Sequence, residues 1–141
     1  MAATSLQDAL DYIVPIINAD SILTSMGIGD AFSFSAPERT AFPYIIIGKQ
    51  AGTFTRTLCG RAYDTHYMAI KCVDKGFDGG KRARQAMDRV AAIVELTNVS
   101  PGAGKLIMSI EPNNSYEYDE QENGNNNFYH SVIVFKFVLG Q

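Results

Sequence analysis

Residues 128–139 read Phe-Tyr-His-Ser-Val-Ile-Val-Phe-Lys-Phe-Val-Leu, and this stretch does most to decide the fold. β-branched and aromatic residues dominate it, so it predicts a strand. Alternate side chains of a strand point to opposite faces of its sheet. One set is Tyr129, Ile133, Phe135, Phe137 and Leu139, and the other is Phe128, Val132, Val134 and Val138. Both sets are apolar, so helices must cover one face of the sheet, and loop segments or a neighbouring subunit must cover the other.

Three more strands are predicted upstream of this one. They lie at residues 44–48, 62–73 and 105–111, the first entered from a proline that suits a strand's first position. A brief strand is also indicated where Phe32 and Phe34 alternate with serines. Helical spacing of apolar residues predicts helices at 5–18 and 79–96, with a short turn at 22–26 capped by Asp20-Ser21. Pro15 falls opposite the apolar stripe of the first helix, on its solvent side.

The order of elements is therefore α-β-β-α-β-β. Because strands come in pairs without helical crossovers, this order favours an α+β fold. We expect a mostly antiparallel four-stranded sheet with two helices packed on one face.

Two polar segments flank the predicted strands. Residues 50–61 predict a hairpin extension or a mobile arm, and residues 112–127, rich in Asn and acids, predict a long exposed hairpin loop.

Length and composition set limits on the class of protein. The 141 residues predict one domain, 1–141, and the 46% hydrophobic content excludes disorder. We expect no membrane segment and no signal peptide, because no apolar run approaches about 18 residues and the N-terminus lacks a basic region. Two cysteines make no disulfide framework, so the expected compartment is a cytoplasm.

The charge is small but unevenly distributed. The net charge is −3, yet residues 49–95 hold nine bases against five acids, while residues 1–48 and 96–141 are acidic. A nucleic-acid-binding protein is expected to carry a dominant basic face. The segregation instead favours protein partners of complementary potential.

The sequence predicts no catalytic, cofactor or metal site. Residues 102–105, Gly-Ala-Gly-Lys, lack the Ser/Thr of a phosphate loop and lie before a strand instead of after one. Glycines at 79–80 turn the chain into a helix more readily than they hold an anion. The two histidines and two cysteines show no zinc-ligand spacing; they are His66, His130, Cys59 and Cys72. The acids at 117–122 lie in the predicted loop, without the fixed setting that catalytic carboxylates need.

Several stretches resemble the bacteriophage tail terminator family, also called tail completion proteins. The opening helix followed by residues 18–23, Asn-Ala-Asp-Ser-Ile-Leu, is similar to the family's start. So are residues 41–48, Ala-Phe-Pro-Tyr-Ile-Ile-Ile-Gly, the alanine-rich helix ending near 96, and the final strand 129–137. The resemblance covers about 6–138, and segments 49–61 and 112–127 match no motif of the family.

The resemblance implies a structural virion protein without enzymatic residues. Members form rings, commonly hexameric, that cap the tail tube and then join the head. The implied partners are further copies of the chain, the tail tube protein and the head–tail connector proteins, with DNA passing through the channel without specific binding. Candidate subunit-interface or channel-facing residues are Arg56, Arg61, Glu117, Asp119, Glu120 and Glu122.

Three alternatives stay open at this point. Two belong to the same class: a neck adaptor or stopper of the head–tail joint, and a tail-tube subunit. The third is a small ligand-binding or enzymatic α+β domain, which would need a pocket with convergent polar side chains. The acids at 117–122 have two possible roles, facing a protein neighbour or lining the channel and repelling DNA, and the first is favoured.

Overall fold

The computed structural model describes residues 6–28, 31–33, 37, 42–57, 60–75, 80–95, 107–122 and 126–140. These form three helices and five strands: α1 (Leu6–Ala19), α2 (Ser21–Ser25), β1 (Ala31–Ser33), β2 (Tyr44–Thr57), β3 (Gly60–Lys75), α3 (Lys81–Glu95), β4 (Ile107–Glu122) and β5 (Asn126–Gly140). The predicted α+β class is therefore correct. Some of the positions considered above lie outside the described part of the chain, namely 34, 59, 79 and 102–105.

The strands form one sheet in the order β1-β2-β3-β5-β4. β1 runs parallel to β2, and every other neighbouring pair is antiparallel. The predicted four-stranded sheet and its α-β-β-α-β-β order are therefore wrong: the sheet has a fifth strand, and α2 and β1 enter the order. The brief strand indicated at Phe32 and the short turn predicted at 22–26 correspond to β1 and α2, but the predicted order left both out. Only three residues of β1 pair with Ile45–Ile47, and so short a pattern does not place a strand in a sheet.

The predicted hairpin loop at 112–127 is also wrong. Residues 112–122 continue β4, and residues 126 and 127 already pair in β5. Ten consecutive residues of β4, 111–120, are exposed. A strand exposed on both faces carries no apolar alternation, so its sequence looks like a loop. Of the two readings of residues 50–61, the hairpin extension is correct, because β2 reaches Thr57 and pairs with β3 throughout.

The hydrophobic core lies on one face of the sheet, beneath all three helices. β5 contributes Phe135 and Phe137, both with no exposed surface, in register with Met68 and His66 of β3. The helices contribute a set of buried side chains that includes Leu10, Ile13, Ile17, Leu23, Ala86, Met87, Val90 and Val94. Pro15 is exposed on the far side of α1, as its spacing predicted.

Burial raises the pKa of the Cys72 thiol to about 12, with Asp74 adding to the shift, so this thiol is unreactive at neutral pH.

The opposite face of the sheet is apolar too. Val73, Val132 and Val134 are buried but lie outside the core cluster under the helices. They alternate with core residues along their strands, so they point to the other face. Aromatic side chains surround one end of this face, where Phe42 lies 5.2 Å from Tyr44 between ring centroids. The prediction that residues 128–139 form a strand with two apolar faces is confirmed.

Two ion pairs fix the helices to the rest of the molecule. On α3, Arg82 donates Nε and one Nη to the two oxygens of Asp74, at 2.9 and 2.7 Å. Farther along the helix, Arg89 does the same to Asp20, at 3.1 and 2.8 Å. Asp20 also caps α2 by accepting from Leu23 N at 3.0 Å, as the sequence predicted. The hydrogen bond from Arg89 is the main reason why the pKa of Asp20 is lowered.

Candidate assembly surface

The candidate surface is built on β4, the last strand of the sheet. Its sequence is Ile-Met-Ser-Ile-Glu-Pro-Asn-Asn-Ser-Tyr-Glu-Tyr-Asp-Glu-Gln-Glu, with five acids and no base. The register with β5 sets its faces: Ser115 pairs with Ile133 and Glu117 with Ser131 on the helix side. Tyr116 pairs with Val132 and Tyr118 with His130 on the open side. An acidic strand with a tyrosine row on one face is therefore presented at the edge of the sheet.

On the helix side, Arg84 of α3 reaches across to Glu117. The Arg84 Nε donates to both carboxylate oxygens, at 2.7 and 2.9 Å. Both side chains are about half exposed, so this pair contributes only about 0–1 kcal/mol to stability. Its main effect is positional, because it ties the middle of β4 to the nearest helix.

A groove runs between α3 and the β4–β5 pair on either side of this ion pair. Its first part is a cavity of about 220 Å³, lined by Gly80, Ala83, Arg84, Glu117, Tyr118, Asp119, Tyr129, His130 and Ser131. An adjoining cavity of about 430 Å³ shares Arg84, Glu117 and Ser131 and extends along Met87 and Asp88. In the described residues no group of three or more His, Cys, Asp or Glu could hold a metal ion. The groove is open, and its arginine and glutamate are already paired with each other.

On the open side, three rings stack in a row across the edge. Tyr118 lies flat on His130, with centroids 4.3 Å apart and planes 8° apart. Tyr116 stacks on Tyr118 at 6.2 Å, and both tyrosines are more than two-fifths exposed. Lys71 of β3 approaches the Tyr118 hydroxyl at 3.4 Å. Exposed tyrosines are typical of protein contact surfaces.

His130 is the buried member of this row and is only 7% exposed. Neither ring nitrogen has a hydrogen-bond partner among the described atoms. Glu120 Oε1 lies 3.5 Å from Nε2, which is too long for a good hydrogen bond. Burial lowers the pKa of His130, and the nearby Lys71 lowers it further, while Glu120 opposes both. The imidazole is therefore held neutral at physiological pH.

This lowered pKa predicts acid sensitivity of the β4–β5 pair. The unfolded chain binds a proton at His130 at a higher pH than the folded chain does. Above the pKa of His130 in the unfolded chain, this group therefore leaves the free energy of unfolding unchanged, and below that pKa the free energy of unfolding falls. The loss should reach at most about 1.4 kcal/mol for each pH unit down to the folded pKa. Urea unfolding between pH 7.5 and 4.5 measures it. His130→Phe keeps a stacking ring and should flatten the curve over this range; an unchanged slope would assign the acid sensitivity to other groups.

The six candidate residues fall into two groups at opposite ends of the sheet. Arg56 and Arg61 occupy opposed register positions beside the β2–β3 turn. Glu120 pairs with Phe128, and Glu122 pairs with Asn126 beside the β4–β5 turn. Phe128 is also level with Lys75, the last residue of β3, whereas Arg61 is near its first. The structure therefore does not bring the arginines and the acids together within one subunit.

Glu117, Asp119 and Glu120 are exposed on β4, and alternation places the first two on the helix side and Glu120 on the open side. Sequence reasoning missed Arg84, Lys71 and the stacking of Tyr118 on His130. The only available signal was the tyrosine alternation at 116 and 118, which is typical of a strand. The contacts themselves depend on the register with β5, which the sequence does not reveal.

The fold is α+β, and its candidate contact surface lies on the edge strand β4. Residues 17–140 match the family described as tail completion protein gp17, and the chain belongs to that family. It is therefore a structural protein of a bacteriophage tail, as the resemblance implied. No helix among the described residues is long and apolar enough to span a membrane.

A solved structure shows the same fold. A chain from the virion of a native gene transfer agent particle superposes with a TM-score of 0.78, covering 97% of this chain and 100% of that one. The two sequences are 14% identical, so this likeness concerns the fold alone. Comparison with curated protein sequences gives no match.

Proposed function

We propose that this chain is a tail terminator, a single domain of which six copies close into a ring on the end of the tail tube and join it to the head. Family membership supports a role in completing the tail. The observation that carries the proposal is β4, a sixteen-residue edge strand with ten consecutive exposed residues. A strand of this kind is suited to contact with another subunit.

In this proposal each copy contacts two neighbouring copies within the ring. One side of the ring contacts the tail tube protein, and the other side contacts head–tail connector proteins. The chain would assemble in the host cytoplasm and finish in the virion. The solved gene transfer agent chain with the same fold comes from a virion, which agrees with assembly among other virion proteins. DNA would pass through the ring without specific binding, since the chain carries a net charge of −3 instead of a dominant basic balance.

Imaging of purified tails tests the proposal directly. Electron microscopy of the tail end, with mass photometry of the purified chain, should show six copies in a ring at the end of the tube. A particle that contains a single copy would contradict the ring. Copies distributed along the whole tube would instead identify a tube subunit.

The acids of β4 provide a second test. Substituting Glu117, Glu120 and Glu122 with glutamine and Asp119 with asparagine should weaken attachment of the chain to tails at low salt. Exposed charge pairs contribute about 0–1 kcal/mol each, so the combined loss corresponds to roughly 10–100-fold in affinity. The difference from the parent should shrink in high salt, which screens exposed charges.

Glu111→Gln is the matched control, because Glu111 is exposed on the same strand but lies far from the β4–β5 turn. We expect it to bind like the parent. Normal attachment of the fourfold variant combined with slowed DNA ejection would show that the acids face the channel. If the fourfold variant attaches and ejects DNA like the parent, the acids have neither role.

A further inference from the structure

The groove between α3 and the β4–β5 pair is acidic. Three carboxylates line its two cavities, those of Asp88, Glu117 and Asp119, against the one guanidinium of Arg84. Arg84 is already bound to Glu117. Asp88 and Asp119 are exposed, and among the described residues neither has an ion-pair partner. The groove therefore keeps two negative charges, which a ligand with two cations would neutralise.

The groove also has apolar walls. Ala83 and Met87 line it from α3, and Tyr129 and Ile133 line it from β5. Its two adjoining cavities, of about 220 and 430 Å³, have the dimensions of ordinary binding pockets, which measure roughly 300–1,000 Å³. An occupant that matches this surface combines cations with apolar contact area, as a segment of polypeptide does.

The hairpin of β2 and β3 extends beyond the end of the central sheet. The last pair between β3 and β5 joins Tyr63 to Gly140. Residues 56–57 of β2 and 60–62 of β3 lie past this pair, where each strand has only the other as its neighbour among the described strands. These five residues are called the hairpin tip below. The tip is thus a projecting part of the backbone that is available to enter a groove.

The hairpin tip has the charge that the groove lacks. It contains Arg56 and Arg61, opposed in the β2–β3 register, and no acid. Within one subunit the tip is remote from the groove, because Glu117 is level with Cys72 of β3, twelve residues from Gly60. At about 3.3 Å for each residue this separation is about 40 Å. The tip of one subunit therefore does not reach its own groove.

Rotational symmetry brings the tip of one copy to the groove of the next. The rotation axis has only to be perpendicular to the line between the two surfaces. That line runs mainly along the strands, since β3 and β4 are only two strand spacings apart. The strands of such a ring lie along its circumference. In a ring of six, the separation of the two surfaces equals the radius at which the contacts lie, about 40 Å here.

We propose that the hairpin tip of one subunit docks into the acidic groove of a second copy, with Arg56 and Arg61 opposite Asp88 and Asp119. This inference rests on the proposed ring and adds the surfaces through which its subunits join. The contact is heterologous, because different surfaces of the chain meet. The charges select which surfaces meet, since two tips or two grooves repel each other, and the apolar walls of the groove add contact area.

Charge reversal tests the contact. Arg56→Glu with Arg61→Glu makes the tip acidic, and Asp88→Lys with Asp119→Lys makes the groove basic. Each double variant alone places like charges opposite each other. The concentration of chain needed for half-maximal ring assembly on purified tail tubes should therefore rise at least about tenfold for each.

An equal mixture of the two double variants gives the decisive comparison. In a ring where they alternate, acidic tips meet basic grooves and native tips meet native grooves, so every contact is matched. The mixture should assemble at nearly the concentration that the parent requires. This rescue also excludes misfolding, because two unfolded chains do not form a ring. A mixture that assembles no better than either variant alone overturns the proposal.

Asp11→Lys with Glu111→Lys is the matched control for the groove variant. It changes the net charge by the same amount at two exposed positions that line neither cavity. This control should assemble like the parent. A loss as large as that of the groove variant would assign the effect to net charge and overturn the proposed contact.

Cysteine cross-linking identifies the occupant of the groove. In a Cys59→Ser background, Thr57→Cys on the tip with Ser115→Cys beside the groove should give a ladder of covalent multimers of this chain in tails. Thr57→Cys with Gln7→Cys on α1 should give none. Cross-links from residue 115 to a different virion protein overturn the second copy as occupant.

The copy number separates this inference from the proposed function. Rings that form normally with either charge-reversal variant contradict docking of the tip and leave the terminator function intact. A single copy of the parent chain in each particle contradicts the ring and the docking together.

Discussion

Phe135→Ala should lower the free energy of unfolding by about 3–5 kcal/mol, the usual cost of removing a buried phenylalanine ring. Phe135 has no exposed surface and lies in the core beneath the helices. The cavity left by the ring borders β3 at Met68, its partner in the register. Because small domains are stable by only about 5–15 kcal/mol, this one change should bring the protein close to its unfolding threshold.

Urea unfolding followed by circular dichroism measures the loss. Tyr116→Ala is the matched control, since it removes an aromatic ring of similar size from a strand but from a position 43% exposed. It should cost less than about 1 kcal/mol. Equal losses in the two variants would contradict the assignment of the core to the helix-covered face.

Arg82→Ala should cost about 3–5 kcal/mol, because it leaves a buried carboxylate without its cation. Asp74 is 1% exposed, and two of its hydrogen bonds come from the Arg82 guanidinium. Among the described residues a third hydrogen bond to Asp74, from Lys75 N at 2.8 Å, remains. One backbone donor does not offset the cost of an unpaired buried charge.

Arg84→Ala gives the internal comparison, because Arg84 lies on the same helix and also binds both oxygens of a carboxylate, those of Glu117, although through Nε alone. Glu117 is 45% exposed, so water replaces the lost partner and the cost should be below about 1 kcal/mol. Adding Asp74→Asn to Arg82→Ala should recover part of the stability by removing the charge. Similar losses for the two arginine variants would show that burial of Asp74 does not decide the energetics.

The sequence predicted those elements that bury one or both faces. β5 and α3 were found with errors of one or two residues at each end, because a period of 2 or 3.6 in apolar residues persists over most of their length. β4 was predicted only as far as residue 111, one residue beyond the buried Ile110. Beyond that point the only backbone pairing of β4 among the described strands is with β5, and pairing by the backbone has no side-chain signature.

The candidate surface was predicted by composition but not by geometry. Its acids were recognised as one group, yet their placement on two faces of β4 follows from a strand that had been interpreted as a loop. Arg84 lies on α3, and its partner Glu117 lies 33 residues away in the chain. Such a pair depends on the β4–β5 register, which a polar strand specifies weakly by itself.

The sheet order also has a consequence for how the chain reaches its native state. β2–β3 and β4–β5 are hairpins that join neighbouring segments, whereas β3 and β5 pair residue 63 with residue 140 across the whole of α3. Closing that long loop costs chain entropy before any core contact offsets it, so the central pairing is the slow step. We therefore expect two hairpins to form early and independently. During synthesis, β3 and β5 can pair only after β5 has left the ribosome. We therefore expect the sheet to be completed after the final strand has been translated.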